Sequence, residues 1–376
     1  MADDGVLVFG ANTLVPPGST LFEYLEFNGW SQRDLARRTG LTPKTISEIC
    51  NGKAPISPLT ALALEKVFQR PAHFWLNLQA RYDEAKARQT NVASLTQWSK
   101  WAEKFPLKEM KRLGWIEGKG YAESTTDELL EFFGVSSPDS WQSVWANSDV
   151  AYRQTRQFKT TAESISAWIR ATEIQASQIE TAEFDEAKLL SMLGELRSQT
   201  REPADRFIPA VQALCASAGV AVVWVPELKQ TGISGCARWL TDRRALIALT
   251  LRYKTDDQLW FTFFHEIAHL ILHRKKFSFI LDNAHDDLID NVIDPKMQKN
   301  EEEANRFSAD TLIPPDALSQ FILQRKFTNE AIHDFSNELT VGPGIVVGRL
   351  QREGLIAYHQ GNKLKRTFSW ELDSGP

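Results

Sequence analysis

Hydrophobic and polar positions change period along the chain. From Thr20 to about residue 90, apolar residues recur at helical spacing in short segments broken by glycine and proline, which predicts a bundle of short helices. Ser31-Gln32-Arg33-Asp34 has capping spacing and opens a helix in which Leu35 and Ala36 are apolar and which Gly40 closes. Thr42-Pro43 starts the next helix as N-cap and first-turn proline. Ile46 and Ile49 turn inward, and Lys44, Thr45, Ser47 and Glu48 stay outside. Two short helices about a glycine turn predict a helix-turn-helix, whose second helix can enter the DNA major groove. Residues 91 to about 205 continue as helices carrying Trp98, Trp101, Trp115, Trp141, Trp145 and Trp168. At helical spacing among Leu and Phe, these tryptophans are expected in a core rather than stacked on bases. Thr125 to Glu128 and Thr160 to Glu163 both have capping-box spacing, and Gly134 and Pro138 bracket a break. From Gly219 the period shortens. VAVVWV (220–225), ISGCARWL (233–240) and ALIALTL (245–251) predict a small sheet. Residues 1–19 have no period and are expected as an irregular lead-in.

The stretch after the sheet, Trp260 to Arg274, reads WFTFFHEIAHLILHR. It is apolar on nearly every side, yet it holds His265, Glu266 and His269 in the order H-E-x-x-H. Residues four apart share a helix face, so both imidazoles can reach one metal ion, with Glu266 beside them as a base for water. Two histidines and a glutamate would be expensive to bury in such a helix without a metal or partners. The third ligand must come from elsewhere. The positions that would continue a metzincin are Leu272 and Lys275, which excludes that subclass. His273 lies about 80° off the face of His265 and reads as an outer partner or core residue rather than a ligand.

Downstream, Glu301 to Pro314 reads EEEANRFSADTLIP. Ala304, Phe307 and Thr311 suggest a packed stripe, and Pro314 ends the helix. Glu303, beside that stripe, is the carboxylate expected to face the core, with Glu301 a second candidate. Asp310, back on the face of Glu303, is expected to orient a ligand histidine. Between these helices, 281–294 holds five aspartates and reads as an exposed lid in which His285 can donate to a reaction intermediate. Residues 327–354 outline another helix-turn-helix whose exposed face is not basic, so packing is the expected role. The end, GNKLKRTFSW, is a short basic tail without an assigned role.

Composition narrows the classes. Hydrophobic content of 43% and charged content of 24% suit a soluble globular protein of two or three domains. No apolar run approaches a membrane span, and MADDGVLVFG lacks the marks of a signal peptide. Cys50, Cys215 and Cys236, odd in number and scattered, argue for reduced thiols in a cytoplasmic protein; Cys236 is expected as a small buried hydrophobe. The whole chain carries −5, but residues 20–90 hold ten Lys and Arg against seven Asp and Glu, a local excess that supports DNA binding.

HEIAHLILH followed by EEEANRFSADTLIP resembles the ImmA/IrrE family of metallopeptidases. The resemblance implies zinc held by His265, His269 and Glu303, one ion per chain, with Glu266 as base. Ser308 stands where that family has alanine. SQRDLARRTGLTPKTISEICNGKAPIS resembles the Cro/cI-type (XRE) DNA-binding domain, and the extension SPLTALALEKVFQRPAHFWLNLQARYDEAKA resembles the HigA antitoxin branch. That resemblance implies Gln32, Asn51 and Lys53 at phosphates, and Lys44, Thr45 and Ser47 reading bases. The fold expected is mainly α with a small β-sheet (α+β). It comprises a lead-in (1–19), a helix-turn-helix domain (20–90), a helical connector (91–205) and a minimal zincin-like peptidase domain (206–376). The expected partners are an operator in double-stranded DNA, bound as a homodimer, and a protein substrate: the chain itself, a sister subunit or a partner regulator cut under stress. A second reading makes the chain a HigA-like antitoxin and repressor, paired with a toxin, whose zincin domain is structural or sensing.

Overall fold

The computed structural model describes residues 15–118, 120–146, 161–229, 231–273, 278–281 and 295–370, with backbone alone at 278–281 and 295–297. The expected lead-in before Val15, the cap at Thr160 and the aspartate-rich segment with His285 lie outside the described residues. The chain divides into two compact units, Met1–Ser99 and Lys100–Pro376.

The first unit is a helical bundle: α1 (Pro17–Asn28), α2 (Gln32–Thr39), α3 (Pro43–Cys50), α4 (Pro58–Phe68) and the start of α5 (Ala72–Ala102). The expected caps are present. Ser31 and Asp34 form a reciprocal capping box at α2, and Thr42 accepts from Thr45 N–H at α3. Gly40, at φ 74°, makes the left-handed turn between them. Leu21, Leu35, Ile46, Leu64 and Trp75 are fully buried at the centre. The boundary expected at residue 90 falls inside a single 31-residue helix, α5. Residues 83–93 of that helix are exposed on every side, so no change of packing marks the junction in the sequence.

The second unit is a sheet covered by helices on both faces. α6 (Leu107–Arg112), α7 (Ala122–Phe133), α8 (Pro138–Trp141), a π-helical turn α9 (Gln142–Ala146) and α10 (Ala162–Ser177) come first. Next are α11 (Glu186–Ser191), α12 (Leu193–Ser198) and α13 (Ala204–Ser217), then β1 (Val220–Trp224), β2 (Ile233–Thr241) and β3 (Arg244–Leu249). The apolar H-E-x-x-H stretch forms α14 (Asp256–Leu272), followed by β4 (Ser278–Leu281) and α15 (Pro295–Leu312). α16 (Pro315–Leu323), α17 (Asn329–Leu339) and α18 (Pro343–Arg352) complete the unit. Strand order is β1-β3-β2-β4, with β1 and β3 parallel and the other pairs antiparallel.

Alternate residues of the strands face opposite ways. Val220, Val222, Ala237, Ala245 and Ile247 join α13, α14 and α16–α18 in one core. Ala221, Val223, Cys236, Leu246 and Ala248 join Trp141, Trp145 and Trp168 of the preceding helices in the other. The segment expected as a connector is therefore, from Lys100 on, one wall of the same unit as the sheet. Of the tryptophans expected in a core, Trp141, Trp145 and Trp168 are buried in it, Trp101 and Trp115 pack against it, and Trp98 lies outside it; Trp141 packs edge to face on Trp101, Phe105 and Phe133. Thr125, expected to cap, lies within α7, which starts at Ala122 because Tyr121 already has extended backbone.

Candidate metal centre and nucleic-acid interface

α14 is buried along most of its length, between β2 and β3 on one flank and α15 and α18 on the other. A helix apolar all round fits only such a place. His265, Glu266 and His269 are 1%, 0% and 4% exposed. Nε2 of His265 lies 2.8 Å from Nε2 of His269 and 3.1 Å from Glu301 Oε2, and His269 Nε2 is 3.6 Å from Glu301 Oε1. Across the ring, Nδ1 of His265 is 2.9 Å from Asn305 Oδ1. With that oxygen accepting, Nδ1 carries the proton and Nε2 turns its lone pair inward. Two imidazole nitrogens and a carboxylate, all acceptors, thus converge on one point. Such a set repels itself unless a cation or a proton lies between. Three ligand atoms of a tetrahedral zinc site sit about 3.4 Å apart for bonds near 2.1 Å, so the chemistry and the spacing both suit zinc.

The carboxylate that meets the histidine pair is Glu301, not Glu303. Two residues along a helix are 200° around it, so the two carboxylates cannot share a face. Glu301, Asn305, Ser308 and Leu312 form the face of α15 turned toward the core, with Ala304 fully buried beside them. Of the expected stripe Ala304 is fully buried, but Phe307 and Thr311 are only half-buried, and Ser308 and Leu312 take the inward positions, which turns Glu301 rather than Glu303 to the front. Glu303 instead bonds His273, with Nε2 to Oε2 at 3.1 Å. Asp310 shares the side of Glu303. The contact behind a histidine of the pair expected of Asp310 comes from Asn305, which meets His265 and which spacing from Glu301 would have found. Ser308 has a role the alanine of the resembled family lacks: its hydroxyl donates to the Phe261 carbonyl at 2.8 Å and ties α15 to α14.

Glu266 lies against β2. A Cβ built on Gly235 would come within 2.6 Å of Thr262 and 3.2 Å of Glu266 Oε1, so glycine is what lets strand and helix close at the base. Cys236, next in β2, is fully buried, and burial with the nearby Glu266 charge pushes its thiol up. It is a small core residue.

The tail left without a role in the sequence holds the start of α14. Asp256 and Asp257 open that helix and are buried. Lys365 donates to Asp257 at 2.6 Å and Arg366 to Asp256 at 3.2 Å, while Thr367 pairs with Thr255 across a β-bridge. α18 closes on the pair through Gly344 and Gly348, where a Cβ would meet the two carboxylates at 2.3 and 2.5 Å. That contact fixes α18 as a packing helix of the second helix-turn-helix outline.

In the first unit, Lys44 projects from α3 with its side chain 84% exposed, 3.8 Å from Glu48. Thr45 Oγ1 is 2.8 Å from Thr42 Oγ1, and Asn51 donates to the Ser47 carbonyl at 2.7 Å. Gln32 is half-buried at the start of α2, and Lys53 is exposed after α3. All six residues expected to contact DNA belong to the α2–α3 pair and its following turn, and none is in the core.

Residues 21–75 match the helix-turn-helix family, and residues 225–351 match the IrrE N-terminal-like domain family. The chain is 35% identical over 74 residues to the uncharacterized HTH-type transcriptional regulator YddM of Escherichia coli K12, covering 20% of this chain and 79% of that protein. It is 38% identical over 76 residues to virulence-associated protein I of Dichelobacter nodosus, covering 20% and 70%. Among solved structures, the Pseudomonas aeruginosa antitoxin HigA with the higBA promoter is 33% identical over 20% of this chain and 85% of that one, with a TM-score of 0.20. A HigA-family antidote protein from Coxiella burnetii is 35% identical over 24% and 91%, also with a TM-score of 0.20. Among the described residues no helix is long and apolar enough to cross a membrane. Through its N-terminal unit the chain belongs to the XRE-type helix-turn-helix transcriptional regulators, here fused to a peptidase domain of the ImmA/IrrE type.

Proposed function

We propose that this chain is a zinc-dependent endopeptidase joined to an operator-binding repressor domain. The observation that carries the reading is the convergence of His265 Nε2, His269 Nε2 and a Glu301 carboxylate oxygen on one buried point beside Glu266. His265, His269 and Glu301 would hold one zinc ion per chain. Bound there, zinc supplies Lewis acidity that polarises a peptide carbonyl and makes water a better nucleophile at neutral pH. Glu266 accepts the proton of the attacking water and returns it to the departing amine. Asn305 holds His265 in the tautomer that keeps Nε2 inward. Gly235 keeps β2 close to Glu266 and so holds the base against the sheet.

The same chain carries a helix-turn-helix, so the substrate is a protein the regulator already meets: its own chain, a sister subunit or a partner repressor. Lys44, Thr45 and Ser47 read bases in the major groove, and Gln32, Asn51 and Lys53 hold phosphates. A single such domain binds DNA weakly, so the working form is a homodimer on a two-fold operator in the cytoplasm.

The test measures zinc by elemental analysis and follows cleavage of the full-length chain over time. The expected result is about one zinc in the wild type, little in His265→Ala, and full zinc with no cleavage in Glu266→Gln. Zinc retained with equal fragment yield in wild type and Glu266→Gln would remove the peptidase and leave an antitoxin-like repressor with a structural metal.

A further inference from the structure

His269 makes a second contact that the ligand set does not use. Its Nδ1 lies 3.1 Å from Nδ1 of His273, one turn on, and Nε2 of His273 lies 3.1 Å from Glu303 Oε2. The other Glu303 oxygen is 3.7 Å from Lys299 Nζ. His269 and His273 are buried, whereas the Glu303 side chain is 41% exposed, so the line runs from the converging ligand atoms to the surface.

We propose that His273 and Glu303 are positioning residues that fix the ring and tautomer of His269, on the reading above that His265, His269 and Glu301 hold zinc. The order of donors along the line follows from its outer end. A carboxylate only accepts, so Nε2 of His273 carries the proton and donates to Glu303. The neutral ring then offers its Nδ1 lone pair, which accepts from Nδ1–H of His269. That leaves His269 Nε2 with its lone pair inward, facing His265 and Glu301. Asn305 does the same for His265 in one step. Both ligand histidines are thus held from behind by α15, which also supplies Glu301. The 200° between residues 301 and 303 puts one carboxylate at the front of the site and the other behind it.

An ordinary ion pair between exposed side chains would not do this, because each partner would be free to turn. Here His273 is 7% exposed and held as the C-cap of α14, its N–H donating to the His269 carbonyl at 3.2 Å. Its ring therefore has few alternative orientations.

The test is the zinc dissociation constant of the full-length chain, by competition with a chelator, beside the visible spectrum of the cobalt-loaded form. Glu303 is exposed, so replacing it does not threaten the fold. Glu303→Ala should bind zinc about 10- to 100-fold more weakly than wild type and shift the cobalt bands. Glu303→Gln, which keeps an acceptor oxygen, should recover most of the loss, and Glu302→Ala should match wild type. Adding Glu303→Ala to His273→Ala should cost no further affinity, because the two act in series. Wild-type affinity and an unshifted cobalt spectrum in Glu303→Ala would overturn the proposal. So would a loss as complete as in Glu301→Ala, which would make Glu303 a ligand. A wild-type chain that binds no zinc in the same titration would overturn the metal centre itself, and the relay with it.

Discussion

Within the helix-turn-helix of the first unit, the side chains of α2, α3 and the turn after them find hydrogen-bond and ion-pair partners within four residues: Ser31 with Asp34, Thr42 with Thr45, Lys44 with Glu48, Ser47 with Asn51. In the unit beginning at Lys100 they reach much further. His265 meets Glu301 36 residues away and Asn305 40 away, and Asp256 meets Arg366 110 away. The first arrangement leaves the proposed DNA-reading residues on the surface, supported by local turns. The second buries charge and histidine, which is tolerable only where distant segments supply a counter-charge or a cation. The function proposed above accounts for the difference by what each surface would meet. A helix laid in a groove needs exposed, locally braced side chains, whereas a hydrolytic centre needs a dry, fixed one.

The contrast can be broken at its strongest point first. Glu266→Gln should retain zinc and lose about 10²- to 10⁴-fold in cleavage rate, read from fragment yield against time, while operator affinity stays at the wild-type value. Lys365→Ala leaves the buried Asp257 without its cation and should destabilise the second unit by about 3–5 kcal/mol. Thermal unfolding followed by near-ultraviolet circular dichroism should show that unit melting earlier and the first unit unmoved. Lys44→Ala should reduce affinity for operator DNA by about 1–3 kcal/mol in a gel-shift assay with no change in zinc content. Ser31→Ala, at the α2 cap, should lower the stability of the first unit by about 1 kcal/mol in urea titration and leave the metal site intact.

The smallest effect is a dependence on pH. Hydrogen bonds from the Ser31 side chain and backbone hold the Asp34 carboxyl below its ordinary value. Its folded-state pKa is depressed, so its stabilisation is present above the usual aspartate range, near roughly 3.9, and is lost as pH falls through the folded value. Asp34→Asn should flatten the acid limb of the first unit's stability curve. An unchanged acid limb would mean that the capping box does not titrate with the fold.

The sequence carried much of this. Ser31, Gly40, Thr42 and Pro43 marked the ends of α2 and α3, because caps and left-handed turns depend on the residue itself and its nearest neighbours. β1, β2 and β3 were legible as β-rich runs, whereas the four-residue β4 was not, and His265, Glu266 and His269 were legible as one helical face. Glu301 was harder to place. Three glutamates in a row offer three helical phases, and the segment between α14 and α15 hides the register. A phase taken from Ala304, Phe307 and Thr311 pointed to Glu303. Phe307 is only half-buried, and the fully buried Ala304 and Ser308 set the true phase. The boundary at residue 90 was missed because α5 runs through it without a break in helical propensity.

By itself, then, the sequence determined the helix-turn-helix, the first three strands ahead of the H-E-x-x-H helix, and the pair of histidines with their neighbouring glutamate. All of these rest on contacts between residues close in the chain, whose geometry follows from backbone period and capping. Only the tertiary structure decided that Glu301 meets the histidine pair, that Asn305 and Glu303 stand behind the histidines, and that Lys365 and Arg366 neutralise the start of α14. Those contacts join segments tens of residues apart. Their selection depends on how two helices are rotated against each other, and the period of either helix alone leaves that rotation undetermined.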